Sequence, residues 1–204
     1  MNLSQFTNRY SKIAVHQQPM MHSGTTFATN GHVLVIAETE KLYPALTDID
    51  TDQHRITCIE GIIGKIITAR PALKATIGYD NQTLTLPKSY GCFACQGTKF
   101  ADKTQCKACD GDGECDNGEE CQECDGTGVI YRYSQNYCPH CLGNGVIYHQ
   151  KIMPVLDARI NPSYLALFAN EPNLKICTIE TAIKVPVLVL HADTVKGIIM
   201  GIAS

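Results

Sequence analysis

Between residues 91 and 145 a Cys-x-x-Cys pair recurs four times, as Cys92/Cys95, Cys106/Cys109, Cys121/Cys124 and Cys138/Cys141. No other feature of the chain limits its folding so narrowly. Each pair has glycine at the second position after its last cysteine, namely Gly97, Gly111, Gly126 and Gly143, and three repeats add a second glycine, Gly113, Gly128 or Gly145. Two thiolates separated by two residues can face one ion across a tight turn, and the glycine beyond supplies the positive φ that lets the chain double back. Eight sulfurs make two tetrahedral four-sulfur sites. Zinc is the expected occupant of both, because it brings no redox chemistry and accepts thiolates at about 2.3 Å. A disulfide framework, an iron or iron–sulfur centre and a redox-active dithiol are the competing readings. Vicinal pairs repeated with glycines make a poor disulfide pattern, and no charged-then-apolar leader is expected at residues 1–10. Four copies at near-even intervals argue for a shared structural role over redox catalysis.

The stretches beginning Cys106-Lys-Ala-Cys-Asp-Gly-Asp-Gly, Cys121-Gln-Glu-Cys-Asp-Gly-Thr-Gly and Cys138-Pro-His-Cys-Leu-Gly-Asn-Gly resemble the cysteine-rich zinc domain of the DnaJ-type co-chaperones. The resemblance covers only this insert, and the first repeat departs from it by ending in Gly97-Thr98-Lys99. It implies that the first repeat shares its metal with the fourth and the second with the third, in a long V of two hairpins. Cys92, Cys95, Cys138 and Cys141 would then hold one zinc, and Cys106, Cys109, Cys121 and Cys124 the other.

The chain of 204 residues is long enough for one core-bearing domain plus a small metal-supported module. It has no apolar run long enough to cross a bilayer, and reduced thiols with zinc suit the cytoplasm. Charge is unevenly spread. Residues 91–145 carry nine acids against four bases, a net −5, and the remainder 13 bases against 11 acids, a net +2. Two zinc ions on eight thiolates would add about −4 to the insert, which makes it a poor phosphate binder and better suited to a protein partner.

On either side of the insert the patterning is that of short strands. Residues 9–15 alternate, 25–28 are β-rich, Asn30-Gly31 is a two-residue hairpin signal and 33–37 are a continuous apolar run. Residues 42–53 read as loop and 55–59 as a strand leading into a helix over 60–69, where Ile62, Ile63, Ile66 and Ile67 recur on one face. Strands at 73–79 and 83–86 make a second hairpin around Asp80-Asn81-Gln82. After the insert, 146–157 read as one long β stretch, Asn161-Pro162 opens a helix, and 174–180, 184–190 and 197–202 close the chain as strands. The predicted class is α+β: an antiparallel-sheet body with two short helices, formed by residues 1–90 and 146–204, and an inserted zinc-binding domain at 91–145.

Arg9-Tyr10 followed by Phe27-Ala-Thr-Asn-Gly-His-Val-Leu-Val is similar to the hairpin of bacterial DNA sliding clamps that reads Ala-Thr-Asp-Gly-His-Arg-Leu, with Asn30 in place of the aspartate. The helix start at Asn161-Pro-Ser-Tyr-Leu and the ending Gly197-Ile-Ile-Met-Gly resemble the last half-domain of the same clamps, Gly201 replacing a proline. This resemblance implies a clamp-like body of repeated half-domains, DNA contact through bases such as Arg9, Lys12, Lys65, Arg70 and Lys74, and a homo-oligomer, since a ring is assembled from several such domains.

Cys115 reads as a spare thiol, Cys58 and Cys177 as small buried residues in strands, His140 as a solvent-exposed neighbour of its cysteines and His32 as a turn residue. The other histidines are dispersed, and no triad, phosphate loop, dinucleotide fingerprint or His-Glu-x-x-His helix occurs. Zinc closed by four cysteines leaves no position for water, so the expectation is a protein without enzymatic activity. Two functions compete, ahead of a third, a plain nucleic-acid-binding zinc protein, which the net −5 of residues 91–145 disfavours. One is a clamp-like DNA-replication accessory or scaffold whose zinc arm contacts a protein. The other is a chaperone-like binder of unfolded polypeptide, against which stands the absence of a His-Pro-Asp tripeptide and of a glycine/phenylalanine-rich linker.

Overall fold

The computed structural model describes residues 2–22, 24–37, 53–68, 73–74, 85–180 and 186–202, with side chains 53–57, 66–68, 73–74 and 180 excepted. The chain divides into two compact units, Met1–Lys88 with Tyr148–Ser204, and Ser89–Ile147.

The first unit begins with 3-10 turns at Leu3–Phe6 and Ala14–His16, then strands β1 (Met20–His22), β2 (Thr25–Thr29) and β3 (Val33–Ala37), helix α1 (Gln53–Thr68) and β4 (Leu73–Lys74). The second unit contains β5 (Ser89–Gly91), β6 (Phe100–Gln105), β7 (Val129–Tyr137) and most of β8 (Val146–Tyr148). The first unit resumes with β9 (Met153–Val155), β10 (Ala158–Ile160), α2 (Pro162–Ala166), β11 (Lys175–Glu180), β12 (Pro186–His191) and β13 (Val195–Ile199).

One antiparallel seven-stranded sheet, in the order β1-β2-β3-β13-β12-β11-β4, forms the frame of the first unit. The predicted hairpin at Asn30-Gly31 joins β2 to β3, and Asn30 fixes its turn by accepting from the backbone N–H groups of His32 and Val33 at 2.9 and 3.1 Å. The apolar runs of β3 and β12 are buried on both faces of the sheet. On one face Leu34, Ile36, Val187 and Ile198 pack with Ile59 and Ile63 of α1. Toward the other, Phe168 closes on Phe6 with ring centroids 5.3 Å apart. A Cβ on Gly197 would lie 3.1 Å from the Leu34 carbonyl and 3.2 Å from the Phe168 ring, so the centre of β13 has no room for a side chain. Each Val, Leu or Ile buried in this way contributes on the order of 1.5–3 kcal/mol.

Several expectations need correction. Residues 55–59 are the beginning of α1, which starts at Gln53; the β-branched run there sits on a helix because the sheet offers an apolar face to Ile59 and Ile63. Residues 9–15 form no strand but turns, with Asn8 and Ser11 side chains capping the N–H groups of Tyr10 and Ile13. The stretch 146–157 is broken: β8 pairs with β5, and β9 pairs with β10 as a separate ribbon. At α2 the expectation holds, with the Asn161 side chain accepting from the Ser163 N–H at 2.8 Å and Pro162 in the first turn. The meander β11-β12-β13 closes the unit as expected. The loop at 42–53, apart from Gln53, the hairpin around Asp80 and Arg70 lie outside the described residues. Cys58 is exposed on α1 and is not a buried strand residue, whereas Cys177 is half-buried in β11.

Candidate metal centres

Each Cys-x-x-Cys pair forms a knuckle, and three of the four close in the same way. The N–H groups of Gly111, Gly126 and Gly143 donate to the carbonyls of Cys106, Cys121 and Cys138 at 3.0, 3.1 and 3.1 Å. The residue after the first glycine ties the turn again in three knuckles: Thr98 and Thr127 donate their hydroxyls to the carbonyls of Cys95 and Cys124, and Asn144 donates its amide to that of Cys141. Four residues beyond the second cysteine of each of the last three pairs, a backbone N–H reaches that cysteine's sulfur, with Gly113, Gly128 and Gly145 donating to Cys109, Cys124 and Cys141 at 3.4, 3.3 and 3.2 Å.

The knuckles then interlock in pairs through reciprocal backbone bonds. Cys92 N–H donates to the Gly145 carbonyl at 2.9 Å and Cys138 N–H to the Lys99 carbonyl at 2.8 Å, joining the first knuckle to the fourth. Cys106 N–H donates to Gly128 at 2.9 Å and Cys121 N–H to Gly113 at 2.8 Å, joining the second to the third. The glycines permit this approach. A Cβ on Gly113 would run into the Gly126 carbonyl, one on Gly128 into that of Gly111, and one on Gly145 would stand 2.8 Å from that of Gly97. At the place equivalent to these second glycines the first knuckle has Lys99, which takes the left-handed conformation with φ 73°.

This pairing gathers Cys92, Cys95, Cys138 and Cys141 into site 1, and Cys106, Cys109, Cys121 and Cys124 into site 2, with all sulfurs of a site within 4.8 Å of one another and all eight residues buried. Individual separations are 3.7 Å for Cys95–Cys141, 3.9 Å for Cys106–Cys121 and 3.7 Å for Cys109–Cys124. Four sulfurs about 2.3 Å from one tetrahedral ion stand about 3.8 Å apart, whereas a disulfide needs about 2.05 Å. All eleven cysteines are free thiols. Sulfurs this close suit a single ion and leave no space for the inorganic core of an iron–sulfur cluster. Each group of four can therefore hold one metal ion, and all four of its ligands come from the protein.

Burial pushes the Cys92 thiol up to about 11 and raises Cys141 as well. At Cys109 burial acts in the same direction, but the N–H groups of Gly113 and Gly111 and the neighbouring Cys106 and Cys121 thiols together outweigh it and bring the thiol down to about 7. The same backbone donors that lower it would stabilise a metal-bound thiolate. Cys115 is half-buried against site 2 but is not among its four ligands.

Charge and aromatic residues sort between the two sites, which the sequence reading missed. Residues 106–128, around site 2, carry eight acids and Lys107 alone, a net −7, and no aromatic residue. Residues 89–105 and 129–147 carry Lys99, Lys103 and Arg132 against Asp102, a net +2, and every phenylalanine and tyrosine of the unit. His140 is exposed, as expected, yet packs on Phe93 with centroids 4.5 Å apart, and Tyr131 lies 6.0 Å from Phe93 and 5.8 Å from His140. Partial burial and the nearby Lys103 charge lower the His140 pKa. The distribution of Phe and Tyr along the repeats was the available signal for this cluster.

No protein family matches the chain, and neither a curated protein nor a solved structure does. The likenesses to the co-chaperone zinc domain and to the sliding clamps thus rest on the residues quoted for them. Among the described residues no helix is long and apolar enough to cross a membrane.

Proposed function

We propose that the protein is a non-enzymatic zinc-binding accessory or scaffold of DNA replication in the cytoplasm, with a clamp-like body and a zinc module that contacts a partner protein. The observation that carries the metal part is the set of sulfur separations near 3.8 Å in two groups of four buried cysteines. Zinc is preferred over a single iron because closed four-thiolate sites of this kind serve as folding supports and need no redox change. The net −7 around site 2 supports contact with a basic protein surface and disfavours phosphate there. Support for the clamp-like body comes from the antiparallel sheet, the Asn30 hairpin and the Asn161-capped helix, which are the segments that resemble the sliding clamps.

The test is to delete residues 91–145, join the ends with a Gly-Ser turn and titrate duplex DNA into both proteins. The expected result is a folded body whose weak, salt-sensitive duplex affinity is unchanged or slightly improved. Duplex binding lost on deletion, with the body still folded by circular dichroism, would move the DNA role to the zinc module. No duplex binding by either protein would contradict the replication reading.

A further inference from the structure

The three most exposed large apolar side chains among the described residues are Tyr133 at 78%, Phe93 at 61% and Tyr90 at 50%, and all three belong to the site 1 half of the zinc module. No aliphatic side chain of that unit is comparably exposed. Its exposed apolar surface therefore consists of planar rings. Phe93, Tyr131 and His140 form one mutually contacting group, and Lys103 stands opposite Tyr131 in the β6–β7 ladder, on the same face of the ribbon. Three of the unit's four cations share this half, while eight of its nine acids belong to the site 2 half.

We propose that the Phe93–Tyr131–His140 cluster, with Tyr133 and Lys103, is a binding face for single-stranded nucleic acid. Unpaired bases present flat π-faces that stack on such rings whatever their sequence, and the adjoining cations meet the backbone phosphates. Duplex DNA buries those faces in its own stack and gains nothing from the rings. An extended peptide of mixed sequence gains from aliphatic contacts as well as rings, and no aliphatic side chain of this unit is comparably exposed. The thiolates of site 1 are at most 5% exposed, and with one zinc ion they would carry about −2, which cancels the local +2. Stacking consequently dominates over phosphate contact. With no more than three cations engaged, the slope of log affinity against log salt should be shallow, about −2. The strongly acidic half repels the strand and confines it to the aromatic end. This inference does not depend on the clamp-like reading of the body.

Fluorescence anisotropy of a labelled oligo-dT of about twelve nucleotides, titrated with the zinc-loaded full-length chain, tests it. The expected result is binding to oligo-dT in clear preference to duplex. Phe93→Leu and Tyr133→Leu, which keep apolar bulk and remove the ring, should each weaken it roughly five- to hundredfold. Phe93→Trp should restore it and Lys107→Ala leave it unchanged. Native mass spectrometry of each variant establishes that both metal ions remain. Should Phe93→Leu lose a metal, Tyr133→Leu decides, because a side chain 78% exposed contributes little to the fold. Absence of oligo-dT binding, equal affinity for duplex, or leucine variants that bind as well as the wild type would each overturn the proposal. Displacement of oligo-dT by an unfolded polypeptide that binds the leucine variants equally well would also overturn it, assigning the face to peptide.

Discussion

Gly128 and Lys99 occupy equivalent places in the third and first knuckles, and they carry opposite expectations. A Cβ on Gly128 meets the Gly111 backbone, and the residue holds φ 70°, so Gly128→Ala combines a collision with the left-handed cost of about 1–2 kcal/mol. Site 2 should lose its ion while site 1 keeps its own, and native mass spectrometry should count one metal. Lys99 already bears the left-handed cost at φ 73°, so Lys99→Gly should stabilise the module by about 1 kcal/mol, read as a higher chelator concentration for half-release of metal. A destabilised Lys99→Gly would mean that the lysine side chain, which packs beside Gly145, contributes more than its backbone costs. The eight sulfur positions could be read from spacing alone because a Cys-x-x-Cys turn is a local object. The tolerance of lysine where its partners have glycine could not, since it depends on what faces the turn in space.

Helix α1 shows where local reading fails at the scale of elements. Its first turns run through Ile56, Thr57 and Cys58, residues that favour strands by propensity, and the glycines Gly61 and Gly64 weaken its middle. What holds it is the apolar face of the sheet, met by Ile59 and Ile63, and a sheet that pairs β3 with β13, about 160 residues away, leaves no mark in a short window of sequence. Ile63→Ala should therefore cost about 2–5 kcal/mol in the denaturant midpoint of the first unit, a loss typical of a well-packed core position. A change well below 1 kcal/mol would mean that α1 is not packed on the sheet as described. The β2–β3 hairpin and the Asn161 cap were legible because their signals act within four residues. The broken course of 146–157 was not, because the pairing of β8 with β5 is a contact across the whole insert.

For the molecule as a whole, the account rests on a division of labour between an apolar sheet and a module whose core is sulfur. The buried set of the second unit is little more than its eight cysteines and Ala101. Such a segment gains little from its own core, while structural zinc contributes on the order of 10–16 kcal/mol in small finger peptides. Stripping metal with a strong chelator should unfold residues 89–147, seen as loss of their amide dispersion in NMR spectra, and leave the β2–β3–β13 signals of the sheet in place. Net charge misled here because it sums over a fold that places −7 and +2 at its two sites. The central claim is the pairing of the four knuckles around two ions, and cadmium-113 NMR of the substituted protein tests it most directly. Two resonances are predicted, with Cys92→Ser and Cys141→Ser perturbing one and Cys109→Ser and Cys121→Ser the other. A single resonance, or one perturbed in common by Cys92→Ser and Cys106→Ser, would contradict the arrangement.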